Sequence, residues 1–427
     1  MHLRQSIKLV ILFALIFLET KAQENTSAIQ KIIETQINRV NSIHPSDTSY
    51  SDLHSLKASI GDAQVVLLGE QDHGDAATFQ AKTRLIKFLH KECGFEVLAF
   101  ESDFYSINAL NFNSHLRAVD VKTLCGKRNV YPIWTNCEQN EDLFSYLSTG
   151  LTTQKPLVIT GFDCRHTGGY ARDNYVRQLD SLMRANNLPF QKSTHYAEFM
   201  EVLADLIDKE YKSKIALVNQ QKFIQHLDTI RMQWQQVNFK ANDFWTQELK
   251  NLKVFAQNSW LSKDLFNGYS TNIRDVQMSD NLLWLLNNQF AGKKVIVWAH
   301  NFHISDNINQ TEANTKKEIL TMGGGLKKAL KDKVYILGFD SYQGTAGSIG
   351  TKPYKIRKPS ANSLEQYINQ KNYDYAFINL KTTAIDRTAT FKMKAYLHRE
   401  INGRWLNVFD GIFYIKTMYP CHYTDFD

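Results

Sequence analysis

Acidic and imidazole side chains recur directly after short apolar runs of this 427-residue chain. A carboxylate beside an imidazole fixes the tautomer of the ring and raises its pKa, which makes the ring a better base toward water. Such pairs predict acid–base chemistry centred on one histidine, while other histidines polarise a carbonyl group or protonate a leaving group. The residues concerned are Glu70, His73, Glu101, His300 and His303.

The apolar runs that precede these residues have the composition of buried strands. Their apolarity is continuous rather than alternating, which indicates strands that are covered on both faces and therefore a mainly parallel sheet. Ligands of such sheets bind outside the carboxyl ends of the strands. The predicted fold class is α/β, with a mainly parallel central sheet flanked by helices. The runs are Val65–Leu68, Val97–Phe100, Leu157–Thr160, Val295–Trp298 and Val334–Leu337.

Further charged residues follow the same predicted strands. Asp103 comes shortly after the second run, and Asp163, Arg165 and His166 come after the third. Desolvated charges are costly unless they are paired. Any one of the histidines alone is explained as an ordinary buried or surface residue, but the convergence of several at one edge of the sheet indicates a functional site.

Helical periodicity fills the stretches between the predicted strands. Residues 76–92 carry apolar side chains along one side and predict a crossover helix between the first two strands. Residues 195–290 contain little Gly or Pro and predict an all-helical insertion that covers the cleft, either as a lid or as scaffold. Long helices are expected over Tyr196–Tyr211, Ile215–Val237 and Asp243–Trp260, and the last strands over Tyr375–Leu380 and Gly411–Ile415.

The first 22 residues have the pattern of a secretory signal peptide. A basic start is followed by an apolar run from Leu9 to Leu18 and by a small residue, Ala22. That run is about half as long as a membrane-spanning helix. We therefore expect residues 23–427 to be exported to the periplasm or the extracellular space without stable membrane insertion. An uncleaved anchor is the alternative.

Charge and cysteine usage exclude other classes of protein. The formal net charge is +7, but both signs are mixed along the sequence without a long basic run, so we do not expect nucleic-acid binding. The five cysteines have no metal-ligand spacing, and in an oxidising compartment Cys125 and Cys137 could close a loop. The cysteines are Cys93, Cys125, Cys137, Cys164 and Cys421.

Three common catalytic motifs do not occur. No Gly-x-Ser-x-Gly elbow is found, which argues against a serine-nucleophile α/β-hydrolase. No His-Glu-x-x-His pair is present either. The run Gly323–Gly325 lacks the Gly-Lys-Ser/Thr ending of a phosphate loop, and we expect it to be a break between two helical stretches.

Several segments, in order over roughly residues 60–345, resemble the erythromycin esterase family. The resemblance implies an α/β core with helical insertions that form a deep cleft. It also implies hydrolysis of a cyclic or linear ester without a covalent intermediate. The matching segments are Leu67–Gly74 with Phe79 and Lys82, Gly94-Phe95 with Leu98–Glu101, Gly161–Asp163, Arg274-Asp275 with Met278 and Asn281, Val297–Ile304, and Met322-Gly323 with Leu326.

The family also implies which residues are catalytic. The histidine of its first motif acts as the general base that activates water, and this position is His73 in the present chain. The associated carboxylates are Glu70 and Glu101. The histidines of the second motif are His300 and His303, whose individual roles the sequence does not distinguish.

Substrate-binding residues are implied in the same way. Lys82 is the basic helix residue that would face the site, in preference to Arg84, and Arg274 would bind an anionic or carbonyl group. Asp163 is assigned to the same group. No cofactor is expected, and the partner is a small-molecule ester or lactone. The resemblance also implies that the protein could open macrolide lactones, a reaction that would cause antibiotic resistance.

Two alternative functions use the same side chains. With zinc or manganese bound, the protein would be a divalent-metal-dependent hydrolase or peptidase, and His73 would be a ligand instead of a base. The second alternative is a non-enzymatic haem-binding protein of related fold. The lack of a lipidation cysteine after the apolar run argues against it. The metal ligands would be Glu70, His73, Glu101, His300 and His303.

Overall fold

The structure is a computed structural model that describes residues 28–112, 121–150, 155–238, 243–261, 268–312, 318–347 and 350–423. The signal peptide predicted over residues 1–22 lies outside these described residues. Within the described ranges, no helix combines the length and the apolar character that a membrane span requires.

One mixed sheet forms the centre of the molecule, and five of its strands are the predicted apolar runs. The neighbours from β11 through β6, β2, β5 and β3 to β4 are all parallel, so the predicted α/β fold class is confirmed. Strands β1 and β8 extend the β11 edge in antiparallel fashion, β7 pairs with β6, and β9 and β10 form a separate hairpin. The bounds are β1 (Ile37–Val40), β2 (Val65–Leu68), β3 (Phe95–Asp103), β4 (Val158–Asp163), β5 (Lys294–Trp298), β6 (Val334–Ala346), β7 (Tyr354–Lys355), β8 (Tyr375–Asn379), β9 (Phe391–Tyr396), β10 (Arg399–Gly403) and β11 (Gly411–Met418).

The central strands are apolar on both faces because each face carries its own hydrophobic core. Val66 and Leu68 of β2 belong to the core on one face, and Val65 and Leu67 belong to the core on the other. All four side chains are fully buried. A continuous apolar run is therefore what this position in the sheet requires.

Helices cover both faces of the sheet. The predicted crossover between the first two strands is the helix α3, which begins at Ala76 and ends at Cys93. The described helices are α1 (28–35), α2 (His54–Ile60), α3 (Ala76–Cys93), α4 (Phe104–Phe112), α5 (Val121–Cys125), α6 (Pro132–Thr135), α7 (Glu141–Gly150), α8 (Gly169–Ala185), α9 (Tyr196–Lys209), α10 (Leu217–Val237), α11 (Phe244–Leu261), α12 (Gly268–Trp284), α13 (Asn301–Ile304), α14 (Met322–Leu330) and α15 (Leu364–Gln370).

Helices α8 to α12 lie between β4 and β5 in the sequence. Three of them, α9, α10 and α11, occupy the stretches in which long helices were expected. Helices α8 to α11 share a third hydrophobic core, which includes Leu179, Phe199, Leu227 and Leu249. This helical region begins at Gly169, earlier in the sequence than expected.

A disulfide bond joins Cys137 to Cys421, across 284 residues of sequence. The possible loop between Cys125 and Cys137 therefore does not form, and Cys125 is a buried free thiol. The reason is that the chain after β11 returns to the loop that follows β2, where the amide of Cys421 donates to the carbonyl of Gly74 at 2.9 Å. Local spacing of cysteines does not reveal such a long-range approach.

Two glycines allow close backbone approaches near the carboxyl ends of the strands. A Cβ on Gly69 would lie 1.9 Å from Oδ1 of Asn301, whose amide ties the end of β5 to β6 by donating to the carbonyl of Phe339 at 2.8 Å. A Cβ on Gly323 would lie 1.8 Å from the carbonyl oxygen of Ile304. The three glycines from Gly323 are in the first turns of α14, so the expected helix break is wrong.

Candidate active site

The carboxyl ends of β2, β5, β3 and β4 lie side by side and bring predicted site residues to one edge of the sheet. Leu68 of β2 and Phe100 of β3 are both register partners of Trp298 on β5. Glu70 comes two residues after Leu68, and Glu101 comes one residue after Phe100. Because β5 lies between β2 and β3, the two carboxylates lie on either side of the segment that follows β5 and contains His300.

Glu70 is fully buried, and both of its oxygens accept hydrogen bonds. Oε1 accepts from Nδ1 of His73 at 2.8 Å and from Nε1 of Trp134 at 3.1 Å, and Oε2 accepts from Nζ of Lys82 at 2.7 Å. Burial by itself would raise the pKa of Glu70, but the charge of Lys82 and the hydrogen bond from His73 lower it below the usual value. Glu70 is thus ionised at neutral pH and orients His73.

The imidazole of His73 is partly exposed. Its side chain is 35% exposed, and its Nε2 has no hydrogen-bond partner among the described residues. Desolvation opposes protonation, but the hydrogen bond and charge of Glu70, together with the charge of Glu101, raise the pKa of His73 above its ordinary value of 6.5. Because Nδ1–H donates to Glu70, Nε2 is the basic atom of the neutral ring.

Arg274 of α12 joins the ends of β3 and β4. Its guanidinium donates to both oxygens of Asp163, at 3.0 and 2.8 Å, and to Oε1 of Glu101 at 2.7 Å. Burial by itself would raise the pKa of Glu101, but the neighbouring His303 and Arg274 lower it to about 2. Against its burial, the same guanidinium also lowers the pKa of Asp163, so both carboxylates are ionised at neutral pH and hold the guanidinium in one orientation.

His303 belongs to a second carboxylate–imidazole pair. Its Nδ1 lies 2.9 Å from both oxygens of Asp275, and that carboxylate also accepts from the amide of Met322 at 3.0 Å. Nε2 of His303 lies 3.1 Å from Nη1 of Arg274 and 3.3 Å from Oε1 of Glu101. Both ring nitrogens of His303 therefore have partners in the protein.

His300 is enclosed, and its ring nitrogens are also occupied. Nε2 donates to the carbonyl of Gln71 at 2.7 Å, and Nδ1 accepts from the amide of Phe302 at 3.1 Å. Burial, together with the nearby His73 and His303, lowers the pKa of His300 to about 4. The ring is therefore neutral at pH 7 and holds the loop after β2, so it lacks the nitrogen that proton transfer to a leaving group would need.

Two of the residues expected to bind substrate form buried ion pairs in the structure. The side chain of Lys82 is fully buried, with Nζ on Glu70 and 4.1 Å from the ring centroid of Trp298. Asp163 is fully buried between Arg274 and the hydroxyl of Tyr131, which donates to it at 2.6 Å. Neither side chain lines the cavity of the site, and contact of Lys82 or Asp163 with substrate stays a prediction.

A cavity of about 1520 Å³ opens over His73. Glu101, Arg274 and His303 also line it, so three of the expected catalytic residues and one expected substrate-binding residue share one space. This is larger than a typical small-molecule pocket. Other parts of the wall come from the chain between β3 and β4 and from residues after β4, among them Arg128, Tyr131, Ile133, Phe144, Arg165 and Glu210.

Comparison with known sequences identifies the family. The model of the erythromycin esterase family matches residues 90–418, which is most of the chain. This chain belongs to the erythromycin esterase family. The predicted family resemblance is thereby confirmed, and membership in this family suggests a hydrolase.

Individual relatives of this erythromycin esterase family member are distant in sequence. A Bacillus subtilis (strain 168) protein, YbfO, whose name marks it as a candidate hydrolase, is 26% identical over 404 residues, covering 90% of this chain and 89% of its own. Erythromycin esterase type II from Escherichia coli is 23% identical over 406 residues, covering 87% of this chain and 94% of its own.

Solved structures share the fold. A Bacillus cereus protein superposes with a TM-score of 0.73 at 19% identity, covering 94% of this chain and 99% of its own. An erythromycin esterase mutant, EreC, in its open conformation superposes with a TM-score of 0.71 at 14% identity, covering 92% of this chain and 100% of its own. At these identities the similarity shows the α/β architecture.

The donor atoms of this family member bear on the metal alternative. Among the described residues, no group of three or more His, Cys, Asp or Glu side chains is arranged to hold a metal ion. The carboxylate oxygens that would bind a cation already accept from nitrogen atoms of the protein. Oε2 of Glu70 accepts from Lys82 and its Oε1 from His73 and Trp134, while Oε1 of Glu101 accepts from Arg274 and its Oε2 from the amide of His300. A metal at this site would have to displace these bonds.

Three residues of the site were not predicted as site residues. Trp134 carries no motif signal, and Gln71 lies in the matching segment Leu67–Gly74 but acts through its backbone carbonyl, so in both cases only folding creates the contact. Asp275 could have been found, since it stands beside Arg274 in a segment that resembles the family. Its spacing of 28 residues from His303, however, gives no sign of the contact.

Proposed function

We propose that this protein hydrolyses an ester or lactone bond of a small molecule, with His73 as the general base that activates water. The observation that supports this proposal most is the state of the ring nitrogens. Of the imidazoles of His73, His300 and His303, only His73 keeps a nitrogen without a partner within the described part of the chain. That nitrogen belongs to a side chain that lines the cavity.

The reaction needs no covalent intermediate. Nε2 of His73 removes a proton from water as the water oxygen attacks the carbonyl carbon of the ester. The tetrahedral intermediate carries its negative charge on the former carbonyl oxygen. When it collapses, the bond to the alkoxy oxygen breaks, and protonated His73 returns the proton to that oxygen. The products are a carboxylic acid and an alcohol, which stay in one molecule when the substrate is a lactone.

Arg274 is the group best placed to bind the developing oxyanion. Four of its five N–H groups are used by Asp163, Glu101 and His303, and one N–H of Nη1 has no acceptor among the described residues. Because the bound carboxylates already orient the guanidinium, it need not reorganise during the reaction. His303, oriented by Asp275, completes this side of the cavity.

Two further proposals concern the location of the protein and its substrates. The basic start and short apolar run of residues 1–22 support export to the periplasm or the extracellular space. A relative named for erythromycin supports macrolide lactones as candidate substrates, and their hydrolysis would confer antibiotic resistance.

A substrate panel tests the proposed function. We expect purified protein to hydrolyse at least one of a series of linear esters, small lactones and macrolides, with turnover unchanged after treatment with a chelator. Elemental analysis and an absorption spectrum of the same preparation are the controls. Stoichiometric metal with chelator-sensitive turnover would support the metal-dependent alternative. A Soret band in protein that cleaves no ester would support the haem-binding alternative.

The pH dependence of the reaction follows from the pKa of His73. A general base must be neutral, and the pKa of His73 is raised, so kcat/KM should increase with pH through a value above 6.5. Glu70→Gln removes the charge that stabilises the imidazolium, so the same limb should move to lower pH while the plateau falls. The measurement is a pH profile of kcat/KM for both proteins. An unchanged limb in Glu70→Gln would show that another group titrates.

A further inference from the structure

Two arginines face the cavity without a partner. Arg128 and Arg165 both line it. No acceptor for either guanidinium occurs among the described residues, and the one hydrogen bond of Arg165 is from its backbone amide to Oδ1 of Asp163. The contrast with Arg274 is clear, since that guanidinium is held by two carboxylates. Arg128 and Arg165 therefore have N–H groups available to a ligand.

The turn that carries Arg128 is strained and firmly held. Lys127 and Arg128 adopt left-handed backbone conformations, with φ of 50° and 64°. The carbonyl of Lys127 accepts from the amide of Gly169 at 2.6 Å, and Oδ1 of Asn129 accepts from the amide of Tyr170 at 3.1 Å. Such strain persists where the surroundings impose it, and it concentrates at ligand-binding segments. The start of α8 thus fixes the position of Arg128.

Neighbouring carboxylates of the described residues interact electrostatically with the two arginines but form no ion pair with either guanidinium. Glu210, which also lines the cavity, forms its ion pair with Arg172 at 4.0 Å, and its own backbone is left-handed, with φ of 52°. Burial raises the pKa of Glu210, although the charges of Arg128, Arg172 and Arg165 oppose the effect. Glu141 also lines the cavity but forms no ion pair with either arginine.

Apolar groups line the same cavity. Tyr131 follows the strained turn and packs against Trp134 with a ring-centroid distance of 5.8 Å. Ile133 and Phe144 are further lining residues. A ligand that fills this space therefore meets guanidinium groups and an apolar wall as well as the base His73.

We propose that Arg128 and Arg165 form an anion subsite of the hydrolase, so that its preferred ester carries a carboxylate or phosphate group on an apolar body. This inference rests on the proposed hydrolase function. Guanidinium groups suit both anions, since their N–H pairs match two oxygens of either one. The subsite distinguishes this substrate class from neutral and from cationic esters of the same size.

Binding of small probes tests the subsite without turnover. Calorimetric titrations would compare 3-phenylpropionate, phenyl phosphate and neutral 3-phenylpropionamide on the full chain at low ionic strength. We expect at least one anion to bind tenfold or more tightly than the amide, and the stronger of the two identifies the group. Equal affinity for all three probes would contradict the proposal.

Matched variants locate the binding. Arg165→Gln and Arg128→Gln should each weaken binding of the preferred anion by about tenfold. Arg177→Gln, which removes an exposed arginine of α8 outside the cavity lining, should leave the affinity unchanged. Equal anion affinity in Arg165→Gln, Arg128→Gln and the wild type would overturn the assignment. Equal losses in all three variants would show a nonspecific effect of net charge.

A kinetic comparison separates the subsite from the hydrolase function. Two esters with the same scissile bond, one ending in a carboxylate or phosphate and one in a carboxamide, would be hydrolysed by the wild type and by Arg165→Gln. The ratio of kcat/KM for the acidic ester to that for the neutral ester should fall about tenfold in the variant. If neither ester is cleaved but Arg165→Gln loses anion binding, the hydrolase proposal fails and the subsite remains. If both esters are cleaved and this ratio of kcat/KM is the same in the wild type and in Arg165→Gln, the subsite proposal fails while the hydrolase proposal stands.

Discussion

Replacement of His73 by alanine is expected to lower kcat/KM for ester hydrolysis by about 10³-fold or more, since a positioned general base contributes roughly 10²–10⁴. The loss should fall on kcat, because the base acts in the transition state and not in substrate binding. The measurement is steady-state kinetics with the best ester of the panel. Turnover close to that of the wild type would overturn the role of His73.

The fold should tolerate this substitution. The side chain of His73 is 35% exposed, and Glu70 keeps its hydrogen bonds from Trp134 and Lys82 when the imidazole is removed. Circular dichroism and the Tm of the variant check this expectation. His54→Ala, which removes an exposed histidine at the start of α2, is the matched control and should keep full activity.

Lys82→Met should have the largest effect on stability. Lys82 and Glu70 form an ion pair in which both side chains are 0% exposed. Removal of one partner of a buried pair leaves an uncompensated charge and typically costs about 3–5 kcal/mol. We expect a loss of that size in the free energy of unfolding, measured by urea denaturation with the m-value unchanged. Activity should also fall, because Glu70 would no longer be held against His73.

A double variant separates charge burial from packing. Lys82→Met combined with Glu70→Gln removes both charges, so it should be less destabilised than Lys82→Met alone. Lys87→Met, on the same helix with a half-buried ammonium, is the control and should cost much less. If Lys82→Met unfolds at the wild-type urea concentration, the ion pair is not the main support of Glu70.

Much of the fold could be predicted because the relevant signals are local. A strand that is buried on both faces must be apolar along its whole length, as Val65–Leu68 is, so continuous runs indicate a parallel sheet covered by helices. The carboxyl ends of such strands share one edge, which is why Glu70 and Glu101 could be expected to converge. The helices around residues 196–261 were likewise visible in their periodicity.

The partners of each site atom could not be predicted, because they come from distant parts of the chain. Trp134 reaches Glu70 across 64 residues, and Arg274 reaches Glu101 across 173. The disulfide of Cys137 spans a still longer separation. Such contacts depend on how the helices pack on the sheet, and spacing within one sequence carries no information about them.

The role of His73 follows partly from residue types and partly from packing. The chemistry available to the site, imidazole beside carboxylate at the end of a buried strand, follows from residue types and periodicity alone. The neighbouring carboxylates and the family resemblance already favour His73 as the base over His300 and His303. The packed structure adds the state of each ring nitrogen, because hydrogen bonds within the protein occupy both nitrogens of His300 and of His303 and leave Nε2 of His73 open to the cavity.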